Sequence, residues 1–477
     1  MHKEVTEAQA DSMIKLALGC WFLSCIYGPL GVIAQAVLIV RLIWMCDVKV
    51  IPALIICHLT GGTITFLSRR YVLLKLGIVV SPATVCIFAM FFYVVSSLLK
   101  SRFDNKTICF AVLWLPALVP AFVMSLSAYF NNMRSLWTWP IFDVLVPAGY
   151  LWAVLAGRTW ERGKMYFLKR MIVLFSSMAI LRTLKIIGIW NFALTPAVIC
   201  MFFISIKLKL GPKYTALAAA GSFAGLLNLL FANYFAVEAE TGYAGAAEIG
   251  STFTQVAVCA FAVFLSFCIS CRVVGRGIVR ILPYVLVVMT TSMLFYAVST
   301  REKFGLVEQN YETMQERWNA KLFNDRGSIW AEGLEEAKTP PYFFKDLRAF
   351  IEMDAVIGRD EQGRYLRGYG LKLLPHNQVL TLLGRDGWWL GLVLCLFMWW
   401  MHIRAVNKAT LYADDPVFMM YFIPVSMGLF HILGLTGQST CSAAFQNHGF
   451  ESTIVCGIIY GAVAERERMK RMFGMGW

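Results

Sequence analysis

The chain has 477 residues, 58% of them hydrophobic and 15% charged, with a mean hydropathy of +0.64. A water-soluble globular domain is excluded, because a core of this size cannot hide so much apolar surface. The net charge of +14 reads as the Lys and Arg excess of cytoplasmic loops between membrane spans, with no nucleic-acid partner implied.

Apolar runs recur at the length that carries a helix across about 30 Å of hydrocarbon while satisfying its own backbone groups. They predict an all-α polytopic membrane protein of about 12–14 transmembrane helices. In chain order the runs lie near 13–27, 29–45, 49–68, 76–99, 107–130, 137–157, 168–188, 191–206, 213–236, 250–270 and 279–299. Three more follow near 387–403, 415–434 and 452–465. The first lacks an A-x-A-like cleavage site and leads straight into the second, so it is read as retained. The pair broken at Gly28-Pro29 is alternatively one helical hairpin that does not fully cross.

Orientation follows from the basic loops. Arg466, Arg468, Lys470 and Arg471 place the C-terminus in the cytoplasm, and counting back puts Arg404 and Lys408 on the same side. Arg272, Arg276, Arg280, Lys207, Lys209, Lys213, Arg158, Arg162, Lys164, Lys169, Arg170, Lys100, Arg102 and Lys106 then also fall inside, with both termini cytoplasmic. Arg69, Arg70 and Lys75 fall outside, against the rule. They are either headgroup-level arginines beside a misplaced boundary or a cationic patch facing an anionic substrate.

Residues 300–375 fall on the outer side and carry 12 Lys and Arg against 13 Asp and Glu, so the positive charge of the chain arises elsewhere. The segment also holds Trp318, Trp330, Tyr342, Tyr365 and Tyr369. A long, mixed-charge, aromatic-bearing stretch of this kind is expected to fold over the membrane, with short helices such as an amphipathic one at 306–322. The expected organisation is an N-terminal helix bundle (1–299), a large periplasmic loop (300–375), and closing helices with a basic cytoplasmic tail (376–477). Most of the thirteen cysteines lie within apolar runs and read as small core residues. Cys268 and Cys271 form a C-x-x-C with no matching second pair.

No Walker phosphate loop, H-E-x-x-H or nucleotide-sugar metal pair is present, which leaves little room for a nucleotide-driven reaction. The informative stretch is Pro375-His376-Asn377-Gln378, followed by an apolar run bearing Gly387 and Gly391. It puts a histidine, able to exchange a proton near neutral pH, where the outer loop returns to the membrane. A lone histidine at such a place is otherwise a helix cap.

This stretch resembles the signature of the O-antigen ligase/polymerase superfamily, in which His-Asn begins an apolar segment and a glycine follows. Asn324-Asp325-Arg326-Gly327-Ser328-Ile329-Trp330 looks like the family's Arg-x-x-x-Trp element early in the outer loop. The resemblance implies a GT-C-like, metal-independent, inverting glycosyltransferase of the bacterial inner membrane that needs no cofactor. Its implied donor is a polyprenyl-pyrophosphate-linked oligosaccharide, used on the periplasmic face, and its acceptor a glycan or lipid-linked sugar. His376 would then orient or deprotonate the acceptor hydroxyl, Asn377 would hold it, and Arg326 would bind the pyrophosphate. Family members often carry a further outer arginine where this chain has Glu238-Ala239-Glu240. Arg69, Arg70 or Arg367 are the candidates to take that part, with Arg359 and Arg364 beside Arg367. A polymerase is favoured over a ligase to lipid A core or protein. A flippase for lipid-linked sugars is the reading from another class, and sparse intramembrane charge and the absence of repeats speak against it.

Overall fold

The computed structural model describes residues 4–57, 82–100, 139–184, 194–237, 351–359, 365–371, 378–412 and 449–473, with 102–103, 108, 114–119 and single positions within 122–126, 281–292 and 331–338. These residues are helical except for the connections and one two-stranded hairpin.

Thr6 opens α1 (Glu7–Ile26) with a capping box, its hydroxyl accepting from the Gln9 amide while the Gln9 side chain accepts from the Thr6 amide. Two orphan amides of the first turn are thereby satisfied. The helix stops at Tyr27, whose extended backbone turns the chain into α2 (Gly28–Met45) with Pro29 in its first turn. The two fold against each other so closely that a Cβ on Gly31 would strike the Ser24 backbone. The break at Gly28-Pro29 is thus the turn of a helical hairpin. α2 ends at Cys46, a non-glycine residue in the left-handed region with φ 46°. A 3-10 turn at Val48–Val50 then leads into a buried helical run over 51–57.

Further along come α3 (Pro82–Leu99), α4 (Trp139–Gly157), α5 (Trp160–Thr183), α6 (Leu194–Lys207) and α7 (Pro212–Val237). α8 (Gln378–Leu411) and α9 (Gly449–Phe473) close the chain. The tightest packing is between α4 and α9, where Gly457 and Gly461 lie one turn apart on the contact face. A Cβ at Gly457 would sit 2.5 Å from the Tyr150 carbonyl, and one at Gly461 would overlap the Val154 carbonyl. Gly157 of α4 returns the contact, since its Cβ would lie 2.5 Å from the Ile458 carbonyl. Small residues at i and i+4 let two helix backbones approach this closely.

The junction of α4, α8 and α9 is aromatic. Tyr150 meets Phe397, Trp400 and Tyr460 with ring centroids 5.9, 6.0 and 6.4 Å away. Arg404 lies between two of these rings, 5.2 Å from Trp400 and 5.0 Å from Tyr460, where partial burial strengthens a cation–π contact.

Several expectations need correction. Among the described residues no helix is long and apolar enough to cross a membrane, so these residues do not display the expected series of single-helix spans. For three of the helices the physical reason is local. α6 has only 14 residues, and the helices expected at 168–188 and 452–465 extend into charged sequence. α5 includes Glu161, Arg162, Lys164, Lys169 and Arg170, and α9 includes Glu465, Arg466, Glu467 and Arg468. The runs near 107–130, 250–270, 279–299 and 415–434 lie wholly or largely outside the described residues.

α8 likewise runs 34 residues instead of stopping near 403, because neither Gly nor Pro interrupts it after Gly391. Arg404 and Lys408 therefore stand on a helix and not in a loop. In the outer segment, expected to hold short helices, the described positions 331, 334, 335 and 338 are helical, and a hairpin that was not foreseen follows, with β1 (Ile351–Arg359) and β2 (Tyr365–Leu371) paired antiparallel. Ile351 faces Leu371 and Arg359 faces Tyr365, with two register shifts between Glu352 and Gly358 that let nine residues pair with seven. Each shift is a bulge of one extra residue, which bends and twists the ribbon. The amphipathic helix expected at 306–322 lies outside the described residues.

Candidate functional site

Of the residues singled out by sequence, His376, Asn377, Arg326, Arg69 and Arg70 lie outside the described residues. Arg367 stands in β2, paired in register with Val356, and Arg359 ends β1. α8 begins at Gln378, the residue after Asn377, and carries Gly387 and Gly391. The His-Asn pair thus directly precedes in sequence the N-terminus of a long helix, where the unpaired backbone amides and the helix dipole favour negative charge. The hairpin ends four residues before Pro375, at Leu371.

The opposite end of α8 belongs to a charged network. A 34-residue helix spans about 50 Å, so this network is remote from Gln378. Arg466 of α9 pairs with Glu161 of α5, which also receives Lys164 at 2.8 Å. Lys408 of α8 pairs with Glu467 of α9 at 2.6 Å, and the Arg466 guanidinium lies 4.7 Å from the Tyr412 ring centre. On the other side of α5, Arg170 and Tyr166 both donate to Asp11 of α1, at 2.7 and 2.6 Å. Basic clusters from separate parts of the sequence, all assigned by charge to one side, meet at one end of the helices through these acids.

Burial pushes the Glu161 carboxyl up, but the hydrogen bonds and charges of Arg466 and Lys164 outweigh it and hold the group below its ordinary value of 4.5. Its contribution to stability is therefore present above that value and lost as the pH falls through the folded-state value. The melting temperature of wild type minus that of Glu161→Gln is expected to be positive at pH 7 and to shrink below about pH 4.5. The effect is about 1 kcal/mol or less, as suits a half-exposed pair. A thermal-melt series in detergent checks this, and a difference that grows on acidification contradicts it.

At this same end lies a cavity of about 410 Å³, lined by Glu4, Asp47, Arg102, Arg158, Thr159 and Arg162 together with Met45, Cys46, Tyr93 and Leu155. Arg158 donates to the Arg102 carbonyl at 2.8 Å, and the Arg102 guanidinium is 3.5 Å from the Tyr93 hydroxyl. Asp47 is buried and accepts from the Lys49 amide at 2.9 Å. Burial raises the Asp47 carboxyl above its ordinary value, against the opposing pull of the Lys49 amide and charge. Glu4 pairs with Lys49 at 3.9 Å and Arg162 at 3.8 Å. Thr159 accepts from the Val48 amide at 3.0 Å and so ties the start of α5 to the 3-10 turn. Burial pushes the Cys46 thiol up to about 12, which removes it as a nucleophile at neutral pH.

Sequence reasoning used Arg102, Arg158 and Arg162 only as markers of sidedness, and no local motif joins them to residues 4 and 47. Cys46, Cys57, Cys86, Cys200, Cys395 and Cys456 are buried free thiols, in keeping with their reading as core residues. Cys268 and Cys271 lie outside the described residues. Among the described residues no group of three His, Cys, Asp or Glu side chains is placed to hold a metal ion.

Comparison with known proteins adds no relative: no family model, no curated protein and no solved structure matches the chain.

Proposed function

We propose that this chain is a membrane-embedded glycosyltransferase that polymerises or transfers a polyprenyl-pyrophosphate-linked glycan on the outer face of a bacterial inner membrane. The observation that carries the reading is the position of His376-Asn377, immediately before a long helix that starts at Gln378 and bears Gly387 and Gly391. The donor's leaving group is a pyrophosphate. A helix N-terminus and the arginine forks of Arg326 and of Arg69, Arg70 or Arg367 offer the charge that its departure needs. His376 takes the proton of the acceptor hydroxyl, or orients it, as the glycosidic carbon becomes cationic.

Placement in lipid is supported by the outward faces of the first helices. Phe22, Ile26 and Val37 are 64%, 69% and 67% exposed, and Leu99 is 83% exposed. A surface of this kind is unfavourable against water and suits a hydrocarbon solvent. The network of ion pairs at the other end is the cytoplasmic side in this reading, and residues 300–375 lie across the membrane from it.

The test is transfer by the purified protein in detergent, with a lipid-linked oligosaccharide as donor and acceptor. Elongated glycan is expected at the same rate with and without EDTA, since no step in this reading uses a metal ion. Abolition of transfer by EDTA contradicts the metal-independent chemistry, and absence of any product contradicts the reading as a whole. A single-cysteine reporter within 300–375, in a chain otherwise free of reactive thiols, is expected to label from the outer side only.

A further inference from the structure

We propose that the cavity bounded by Arg102, Arg158 and Arg162 is a binding site for a phosphate ester, filled by the headgroup of an anionic phospholipid. Three arginines from two separate segments line one cavity of about 410 Å³: Arg102 just past the end of α3, and Arg158 and Arg162 in the α4–α5 turn and the first turn of α5. That is the size of a site for a small ligand. Two acids share the lining, Asp47 bonded to the Lys49 amide and Glu4 paired with Lys49 and Arg162, so the three arginines and Lys49 outnumber them four to two. Arg158 uses one of its five donors on the Arg102 carbonyl. That bond fixes its fork beside Arg102, and such forks match phosphate oxygens bidentately.

The floor is rigid. A Cβ on Gly163 would strike the Val48 side chain and lie 3.0 Å from Lys49 Cγ, so the first turn of α5 is pressed onto the 3-10 turn.

A lipid source is favoured over a soluble one by the exposed apolar side chains next to the lining residues. Tyr93, in the lining, contacts the ring of Trp44 edge-on at 5.6 Å, and Trp44 is itself 49% exposed on the last turn of α2. Leu99, the most exposed of the large apolar side chains among the described residues, stands three residues before Arg102. Cationic groups inside, with exposed aromatic and aliphatic side chains beside them, suit a headgroup with its acyl chains attached.

The lipid source rests on the membrane placement proposed above, whereas the phosphate chemistry does not. The test uses the full-length protein in nanodiscs of phosphatidylcholine with or without phosphatidylglycerol, and separately in detergent with inorganic phosphate. Melting temperature and retained lipid, by native mass spectrometry, are the readouts. Phosphatidylglycerol is expected to raise the melting temperature and to remain bound. Arg158→Gln and Arg162→Gln are each expected to weaken retention about tenfold, the loss of one charge-assisted contact. Arg162 is 65% exposed at the rim, so its variant keeps the fold if Arg158→Gln does not.

Protection by inorganic phosphate that both variants lose, without retained phosphatidylglycerol, supports the phosphate site and assigns it to a soluble ester. No protection by either compound, or equal protection of wild type and Arg162→Gln, overturns the proposal. Glycan transfer is read independently of this result, because the cavity lies at the far end of α8 from Gln378.

Discussion

His376→Ala is expected to lower the rate of glycan transfer by about 10²–10⁴-fold, the range for removal of a positioned acid–base group. Arg326→Ala is expected to cost about 10²–10³-fold, as loss of one group stabilising transition-state charge does. The two losses have different forms. In the proposed reading Arg326 serves the leaving pyrophosphate, so its replacement is expected to lower the rate with every acceptor. In the same reading His376 serves the acceptor hydroxyl, so its effect is expected to be smaller when the acceptor is more acidic. An oxocarbenium-like transition state asks little of the nucleophile, which puts the expected loss toward the lower part of its range. Arg326→Lys is expected to recover part of the activity through charge alone, because lysine lacks the bidentate fork. Wild-type rates in both alanine variants, with protein of normal melting behaviour, contradict the assignment.

The largest effect on stability is expected at the contact of α4 with α9. Gly461→Leu places a branched side chain where even a Cβ overlaps the Val154 carbonyl, and Gly457→Leu meets Ala153 and the Tyr150 carbonyl. Backbone atoms cannot move aside as a side-chain tip does, so the helices must separate. That separation pulls apart the Tyr150, Trp400, Tyr460 and Arg404 cluster and draws Arg466 away from Glu161. A cost of about 3 kcal/mol or more is expected, at the upper end of overpacking effects. Gly461→Ala is expected to cost about 1–3 kcal/mol. Gly19→Ala supplies the control: a Cβ there meets nothing within 4 Å. It is expected to be neutral or to stabilise by up to about 1 kcal/mol through helix propensity. Thermal melting in one detergent compares all four, and a Gly461→Leu variant as stable as Gly19→Ala contradicts the packing.

The sequence was most legible where physical causes are local. Apolar runs located most of the helices, and Gly28-Pro29 marked the hairpin of α1 and α2. Basic clusters far apart in the chain were assigned to one side from charge alone, and three of them, those of Lys164 and Arg170, of Lys408 and of Arg466, meet through Glu161, Glu467 and Asp11. Helix ends were less legible, because hydropathy drops where charge begins while the backbone stays helical. α5 and α8 both continue through their basic residues for that reason.

The hairpin was missed although alternating residues and Gly363 between two β-prone stretches were there to be read. Gly457 and Gly461 likewise form a G-x-x-x-G that was visible in the sequence and carries the closest helix contact. The arginine cavity had no such signal. It draws on residues 4, 47, 102 and 158–162, whose proximity depends on the packing of five segments. The His376 motif is the reverse case, legible in sequence but outside the described residues, which begin again at Gln378 with the helix expected after it.

The most direct measurement is the release of polyprenyl pyrophosphate by the purified protein, followed together with glycan length, in wild type and His376→Ala side by side. Wild type is expected to release one polyprenyl pyrophosphate for each glycan transferred, and His376→Ala to slow both together by the same factor. Release and transfer that are absent from wild type, or equally fast in the variant, contradict the account.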